Sequence, residues 1–352
     1  MQDDQSILEV LEAASKRRAE RRNFLKSAGA ATIAAGGLSL LAGCGDDDNA
    51  STVPPVATPS PTPTTAVTDA DILNFALQLE YLEAQYYSYA VFGTGLAANL
   101  QTGAGTQGAV VSPGSGAGQP RAVNFSGETI IGQYAREIAA DEIAHVAFLR
   151  TALAGAAVAQ PAINISGDAN GAFTAVARAA GVVGPTATFD PYASPDNFLI
   201  GAFIFEDVGV TAYKGAAPLL ANATFLEAAA GILAAEAYHA GLVRTILYAR
   251  GQSNASLITI AGQVSDLRDV VDGSPPDDAV RGIGADDDQG IASTNSAAGT
   301  VSNLVPANVN ALAYSRTPER VLNIVYGTRT AVNGGAFFPA GLNGRFRTSA
   351  EN

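Results

Sequence analysis

Apolar residues recur at helical spacing in four long stretches, each framed by start and stop signals. The first runs from Asp69 to Val91, with Ile72, Phe75, Ala76, Leu79, Leu82, Tyr86 and Ala90 on one stripe. Thr68 precedes it with Asp71 in capping-box spacing, and Gly93-Thr-Gly95 ends it. The second runs from Gly127 to Leu153, with Ser126 as N-cap and Glu128 in its first turn. The third opens at Ser194-Pro195-Asp196, where proline suits the first helical position, and stops near Ala217, before Pro218. The fourth opens at Thr224-Phe-Leu-Glu227, a capping box, and continues to Arg250, with Gly251 as its stop. Residues 93–126 read as a long loop. Residues 155–194 form a connection with a short helix near Ala172–Ala180, long enough to cross the length of a bundle. That length allows the second and third helices to run parallel.

The flanks differ in pattern. Residues 252–352 are richer in Gly, Asp, Asn and Pro than in helix formers. One helix is expected at Pro318–Val325, and Gly334–Leu342 is expected to pack back onto the bundle. The acidic stretch Asp266–Asp288 lacks the regular alternation of a calcium loop and reads as solvated. At the other end, Arg21-Arg22-Asn23-Phe24-Leu25-Lys26 resembles a twin-arginine export signal. A small-residue apolar run from Ala28 to Gly43 follows, too short to serve as a permanent span. It ends Leu41-Ala42-Gly43-Cys44, which resembles the lipobox of bacterial lipoproteins, whose cysteine carries the lipid. Residues 44–67, rich in Pro, Thr and Asp, are expected to form a disordered tether. The organisation expected is a signal peptide over 1–43, a tether over 44–67, a helical bundle over 68–250 and a loop-rich extension over 251–352. Gly45 after the cysteine argues against retention at an inner membrane.

Composition narrows the chemistry. With 47% hydrophobic and 15% charged residues, a sizeable core is within reach. A net charge of −13 disfavours nucleic acid and anionic lipid as partners and favours cations. The single cysteine, Cys44, excludes an internal disulfide and a cysteine-based zinc site.

The chemistry sits on the polar exceptions within the helical stripes. The chain has 2 histidines, and both close a Glu-x-x-His: Glu142-Ile-Ala-His145 and Glu236-Ala-Tyr-His239. Residues three apart share a helix face, so each pair can present a carboxylate and an imidazole to one point. With 13 glutamates in 352 residues, both histidines acquire such a partner by chance in roughly one case in 700. Glu206 lies in Phe198-Leu-Ile-Gly-Ala-Phe-Ile-Phe-Glu206, too apolar a setting for an unpaired carboxylate. Glu80 and Glu83 fall on or beside the stripe of the first helix. One Glu from each of two helices and one Glu-x-x-His from each of two others is the donor pattern of carboxylate-bridged dimetal bundles. Four carboxylates balance two divalent cations, and carboxylate with imidazole suits iron or manganese.

The chain therefore resembles the ferritin-like superfamily, and more closely the exported bacterial ferritin-like-domain and plant desiccation-related proteins. Leu73–Ala84, Asp141–Thr151 and Val321–Gly327 carry the likeness. The resemblance implies an all-α fold: a ferritin-like four-helix bundle with a long crossover. It implies two Fe or Mn ions held by Glu80, Glu142, His145, Glu206, Glu236 and His239, with Glu83 the competitor of Glu80. It implies dioxygen or peroxide as reactant, with Tyr87 or Tyr213 supplying a hydrogen bond or an electron near the metals. Glu137, Asp141 and Asp207 read as supporting or surface groups. The long loops and the lipid tether fit a storage cage poorly, while a homo-oligomer remains open. The expected function is an envelope-anchored metal oxidoreductase of ferroxidase or manganese-catalase type. The alternative is a non-enzymatic stress or metal-binding scaffold.

Overall fold

The computed structural model describes residues 66–352, apart from Ser112 and Ala298. The export signal, the lipidated cysteine and nearly all of the tether fall outside the described residues. Within them the chain folds as α1 (Asp69–Phe92), α2 (Thr129–Leu153), α3 (Ala172–Ala179), α4 (Pro195–Ala216), α5 (Ala223–Gly251) and α6 (Ser256–Asp272). A small antiparallel ribbon follows, β1 (Thr294–Ser296) with β2 (Gly299–Val301), and then α7 (Pro318–Tyr326). No helix among the described residues is long and apolar enough to cross a membrane.

The bundle consists of α1, α2, α4 and α5. Contacts along their lengths give their directions. Asn74 of α1 bonds Ala156 just past α2, Tyr81 meets Arg150, and Ala90 accepts from Val123 ahead of α2, so α1 and α2 are antiparallel. Asp196 and Asp207 of α4 meet Arg250 and Arg244 of α5, again antiparallel. Tyr86 of α1 bonds Phe198 at the start of α4, while Tyr213 at its end reaches back to Glu80. Both α2 and α4 thus oppose α1 and run parallel to one another, as the long crossover allows.

Burial differs among the four. Almost every residue of α1 from Ile72 to Ser88, and of α4 from Phe198 to Tyr213, is buried. Helices apolar all round belong in the middle of a protein. The crossover and the C-terminal extension cover these two on the sides that α2 and α5 leave. Tyr86 is ringed by Phe173, Tyr192, Phe198 and Phe205, and Phe337 of the expected return segment packs 4.9 Å from Phe205.

The caps hold at α1, where Thr68 and Asp71 form the capping box, and at α4, where Ser194 accepts from Asn197. Two differ from expectation. α2 begins at Thr129 after Glu128, with no side-chain cap, and Ser126 takes part instead in a turn whose N–H is accepted by Asn124. α5 is capped by Asn222, whose side chain accepts from Thr224 and Phe225, not by a Thr224 capping box.

The largest correction concerns the extension. α6, unpredicted from sequence, packs Leu257, Ala261, Val264 and Val271 inward. The acidic stretch around it is not a solvated loop. Asp272, Asp287 and Asp288 are buried, with Arg316 spanning all three. Arg320 joins Asp272 and Asp287, and Arg268 links Asp288 to Asp207 of α4. Four arginines against four aspartates tie the extension to the bundle.

Candidate metal centre

Each bundle helix turns ionisable side chains toward one point. α1 supplies Glu80 and Glu83, α2 supplies Glu142 and His145, α4 supplies Glu206, and α5 supplies Glu236 and His239. All are buried except His145, whose side chain is 13% exposed. Two overlapping groups result. Glu80, Glu142, His145 and Glu236 place one ligand atom each within 4.8 Å of the others, and so do Glu142, Glu206 and His239. His145 Nδ1 lies 3.2 Å from Glu80 Oε2, 3.5 Å from Glu142 Oε2 and 3.7 Å from Glu236 Oε1. His239 Nδ1 lies 3.0 Å from Glu142 Oε1 and 3.6 Å from Glu206 Oε2. Glu142 therefore turns one oxygen to each histidine, the posture of a bridging carboxylate.

Of Glu80 and Glu83, rivals from sequence, the fold brings both to the cluster, Glu80 beside His145 and Glu83 to one side. Glu83, one turn further along α1, joins Glu206 and Glu236 in a third carboxylate group. The place of the Glu236 carboxylate depends on Gly209. A Cβ at that position would lie 2.2 Å from Glu236 Oε2 and 3.5 Å from Glu83 Oε1.

Tyr87 and Tyr213 are both at the centre. The Tyr87 hydroxyl donates to Glu206 Oε1, and the Tyr213 hydroxyl donates to Glu80 Oε1. Each tyrosine follows its own helix's glutamate by two turns and reaches across to the glutamate of the other helix. The pattern is an internal repeat: Glu80 and Tyr87 on α1 match Glu206 and Tyr213 on α4, and Glu142, His145 and Arg150 on α2 match Glu236, His239 and Arg244 on α5. The symmetry breaks at two places. Gly209 stands where the other half has Glu83, and Ala235 stands where it has Asp141.

Asp141 is one residue whose part the sequence left vague. Its Oδ2 sits 3.1 Å from His239 Nε2, across the gap between α2 and α5. A carboxylate there fixes the ring and turns Nδ1 toward the cluster. Glu137 lines the surface nearby without touching the cluster. Asp207, grouped with it from sequence, is buried and receives Arg244 and Arg268.

The electrostatics describe a site short of positive charge. Burial, then the neighbouring carboxylates, pushes Glu83, Glu142 and Glu236 well above the usual carboxylate range. Burial raises Glu206 to about 7, against the pull of His239 and Tyr87. Burial would raise Glu80 as well, but His145 beside it holds it below the ordinary value, and His145 is raised in return. Glu80 Oε2, both oxygens of Glu142 and Glu236, Glu206 Oε2, and Nδ1 of His145 and His239 have no hydrogen-bond partner. Buried polar atoms without partners are costly, several kcal/mol for a charged group. Carboxylate oxygens and imidazole nitrogens converging in this way fit divalent metal ions, which would satisfy them together.

The cluster's glutamates are all buried, and solvent comes nearest on the side of His239. A groove of about 760 Å³ runs between α2 and α5, with His239 and Asp141 in its wall beside Tyr134, Ile138, Leu242 and Ile246.

A family model described as Ferritin-like domain matches residues 68–249. The chain belongs to the ferritin-like domain family. Among curated relatives it is 29% identical over 289 residues to desiccation-related protein PCC13-62 of Craterostigma plantagineum, covering 79% of this chain and 83% of that one. It is 25% identical over 288 residues to ferritin-like catalase Nec2 of Nesocodon mauritianus, covering 79% and 84%. No solved structure matches the chain. The expected resemblance to ferritin-like and desiccation-related proteins thus stands, and the all-α architecture with a C-terminal extension stands with it. This ferritin-like chain carries a carboxylate and imidazole cluster built for metal.

Proposed function

We propose that the cluster holds two iron or manganese ions and reacts with hydrogen peroxide or dioxygen, protecting the cell envelope against oxidative damage. Glu80, His145, Glu142 and Glu236 would hold one ion, and Glu206, His239 and Glu142 would hold the other. The observation that supports the reactive reading over a passive scaffold is the groove between α2 and α5, which has His239 in its wall. A sealed cluster would serve only as a brace. The relative named a ferritin-like catalase supports peroxide as reactant.

When bound, such a metal pair supplies two-electron redox chemistry, sufficient to convert two peroxides to dioxygen and two waters. The chain's own residues do the rest. Asp141 orients His239, and Glu142 couples the two positions. Tyr87 and Tyr213 hold Glu206 and Glu80 by their hydroxyls, and burial keeps both phenols well above their ordinary pKa, so they remain donors.

The envelope location rests on the twin-arginine motif and Cys44. We infer export with a folded, metal-loaded bundle and a lipid on Cys44. Cys44→Ser should then release the protein from the membrane fraction.

Elemental analysis of the full-length chain beside His145→Ala/His239→Ala, followed by an oxygen-electrode assay with peroxide, tests the reading. About two metals per chain in the parent alone, with dioxygen evolved, is the expected result. No iron or manganese after anaerobic reconstitution would end the dimetal reading. Metal without turnover on peroxide or dioxygen would leave a metal-binding scaffold.

A further inference from the structure

Two cavities lie on the side of the bundle that the C-terminal extension covers. The outer one, of about 230 Å³, sits between α3, α6 and α7. Ala175 and Ala179 of α3 stand on its rim and are exposed, which places its mouth at the surface. The inner one, of about 10 Å³, sits between α1, α4 and α7, and Glu83 and Gly209 line it. Ile204, Ile324 and Phe337 belong to both walls, so the two cavities are neighbours across these three apolar side chains.

The inner cavity ends at the cluster. Glu83 forms one carboxylate group with Glu206 and Glu236. It is 6% exposed, against 2% or less for the other four glutamates of the cluster, as expected of a carboxylate with space beside it. The groove that has His239 in its wall lies elsewhere, between α2 and α5, and shares no wall residue with either cavity.

The wall chemistry selects what can enter. Val176, Val264, Leu267 and Val271 make up much of the outer wall. The two polar side chains among them are engaged elsewhere. The Tyr326 hydroxyl donates to the Arg347 carbonyl at 3.0 Å. The terminal nitrogens of Arg268 donate to the Phe203 carbonyl and to Asp207, and its Nε is buried. Water or peroxide moving inside would give up hydrogen bonds without replacing them. An apolar cavity of this kind stays dry and takes apolar guests such as xenon. Dioxygen is a guest of the same class, small and uncharged, with no proton to donate.

We propose that the two cavities form a route for dioxygen between the surface beside α3 and the carboxylates at Glu83, with Ile204, Ile324 and Phe337 as its narrow point. The route rests on the dimetal reading, in which dioxygen is either the product of peroxide dismutation or the oxidant of the reduced metals. It gives the gas a path distinct from the groove at His239, whose wall carries Asp141 and Glu137.

Crystals of the full-length chain, free of metal and held under xenon pressure, test the route without recourse to activity. Xenon should occupy the outer cavity and the space beside Phe337. Ala175→Phe, at an exposed rim position the fold tolerates, should close the mouth and lose the xenon. With both proteins loaded anaerobically with ferrous iron, stopped-flow oxidation by dioxygen should be slower in Ala175→Phe than in the parent, while oxidation by hydrogen peroxide keeps its rate. A parent that takes no xenon would overturn the proposal. So would Ala175→Phe that excludes xenon yet reacts with dioxygen as fast as the parent, or that is slowed equally with both oxidants. Xenon in both cavities of a chain that takes up no metal would sink the dimetal reading and the delivery of dioxygen with it, whereas metal uptake without xenon would sink the route alone.

Discussion

Gly209→Ala tests the geometry of the metal centre by adding a single methyl group. The new Cβ would stand 2.2 Å from Glu236 Oε2, where ordinary contact begins at 3.4 Å. The carboxylate must therefore retreat by about 1.2 Å. Metal–ligand distances tolerate about 0.2 Å, so Glu236 cannot keep its place in the ligand set. The fold suffers less, because the atom that moves is the end of a side chain. Overpacking of this kind costs about 1–3 kcal/mol. The variant should fold, with a modest loss in a urea titration of the metal-free protein. Its metal affinity, measured against a competing chelator, should fall by at least about 10–100-fold, the loss expected even of a supporting residue. Gly209→Ala/Glu236→Ala should recover stability, since the clash is gone, and should not recover metal. A Gly209→Ala protein with unchanged metal content and affinity would refute the assignment of Glu236 as a ligand.

Three further outcomes follow from the same contacts. Asp141→Asn should weaken metal at the His239 position by about 10–100-fold, seen as partial occupancy in elemental analysis, while the fold is unaffected because the carboxylate is half-exposed. In the metal-free protein, Glu206 is raised from 4.5 to about 7, so the folded state binds a proton that the unfolded state has released. Its stabilising contribution is complete below pH 4.5 and is lost as pH rises to about 7, so urea midpoints should fall across that window; the metal-loaded protein should not show this slope. Arg316→Met removes a fully buried guanidinium from Asp272, Asp287, Asp288 and Thr211 and should cost about 3–5 kcal/mol in urea unfolding, with Asp272 and Asp287 left short of a partner.

Much of the bundle was legible because its signals are local. The stripe of α1, the capping box at Thr68 and the Ser194-Pro195 start each need only a few neighbouring residues. The Glu-x-x-His pairs stood out because ionisable groups are rare in such apolar helices. What failed was whatever depends on partners far along the chain. The α6 stripe contains Ser265, Arg268 and Asp272 among its buried positions, so it does not look apolar. Arg268 and Asp272 go inward because Asp207, Asp288, Arg316 and Arg320 meet them there. Glu80 and Glu83 seemed rivals because one turn separates them, and only the positions of Glu206 and Glu236 on the other helices show that each meets a different group. The bond from Asp141 to His239 depends on how far α2 and α5 are rotated toward each other, which the spacing within either helix does not record.

The ion pairs that reach from Asp207 into the extension have a bearing on where this protein can be cut. The family match ends at residue 249, which invites expression of the bundle alone. Such a fragment would keep Asp207, next to Glu206 of the cluster, but would lose Arg268. It would keep Arg244 but lose the Gly290 and Asn303 carbonyls that this guanidinium donates to. It would strip Phe337 from its seat against Phe173 and Phe205. The border drawn by family likeness is not a seam in the folded chain, and an autonomous folding unit has to carry the last hundred residues with it.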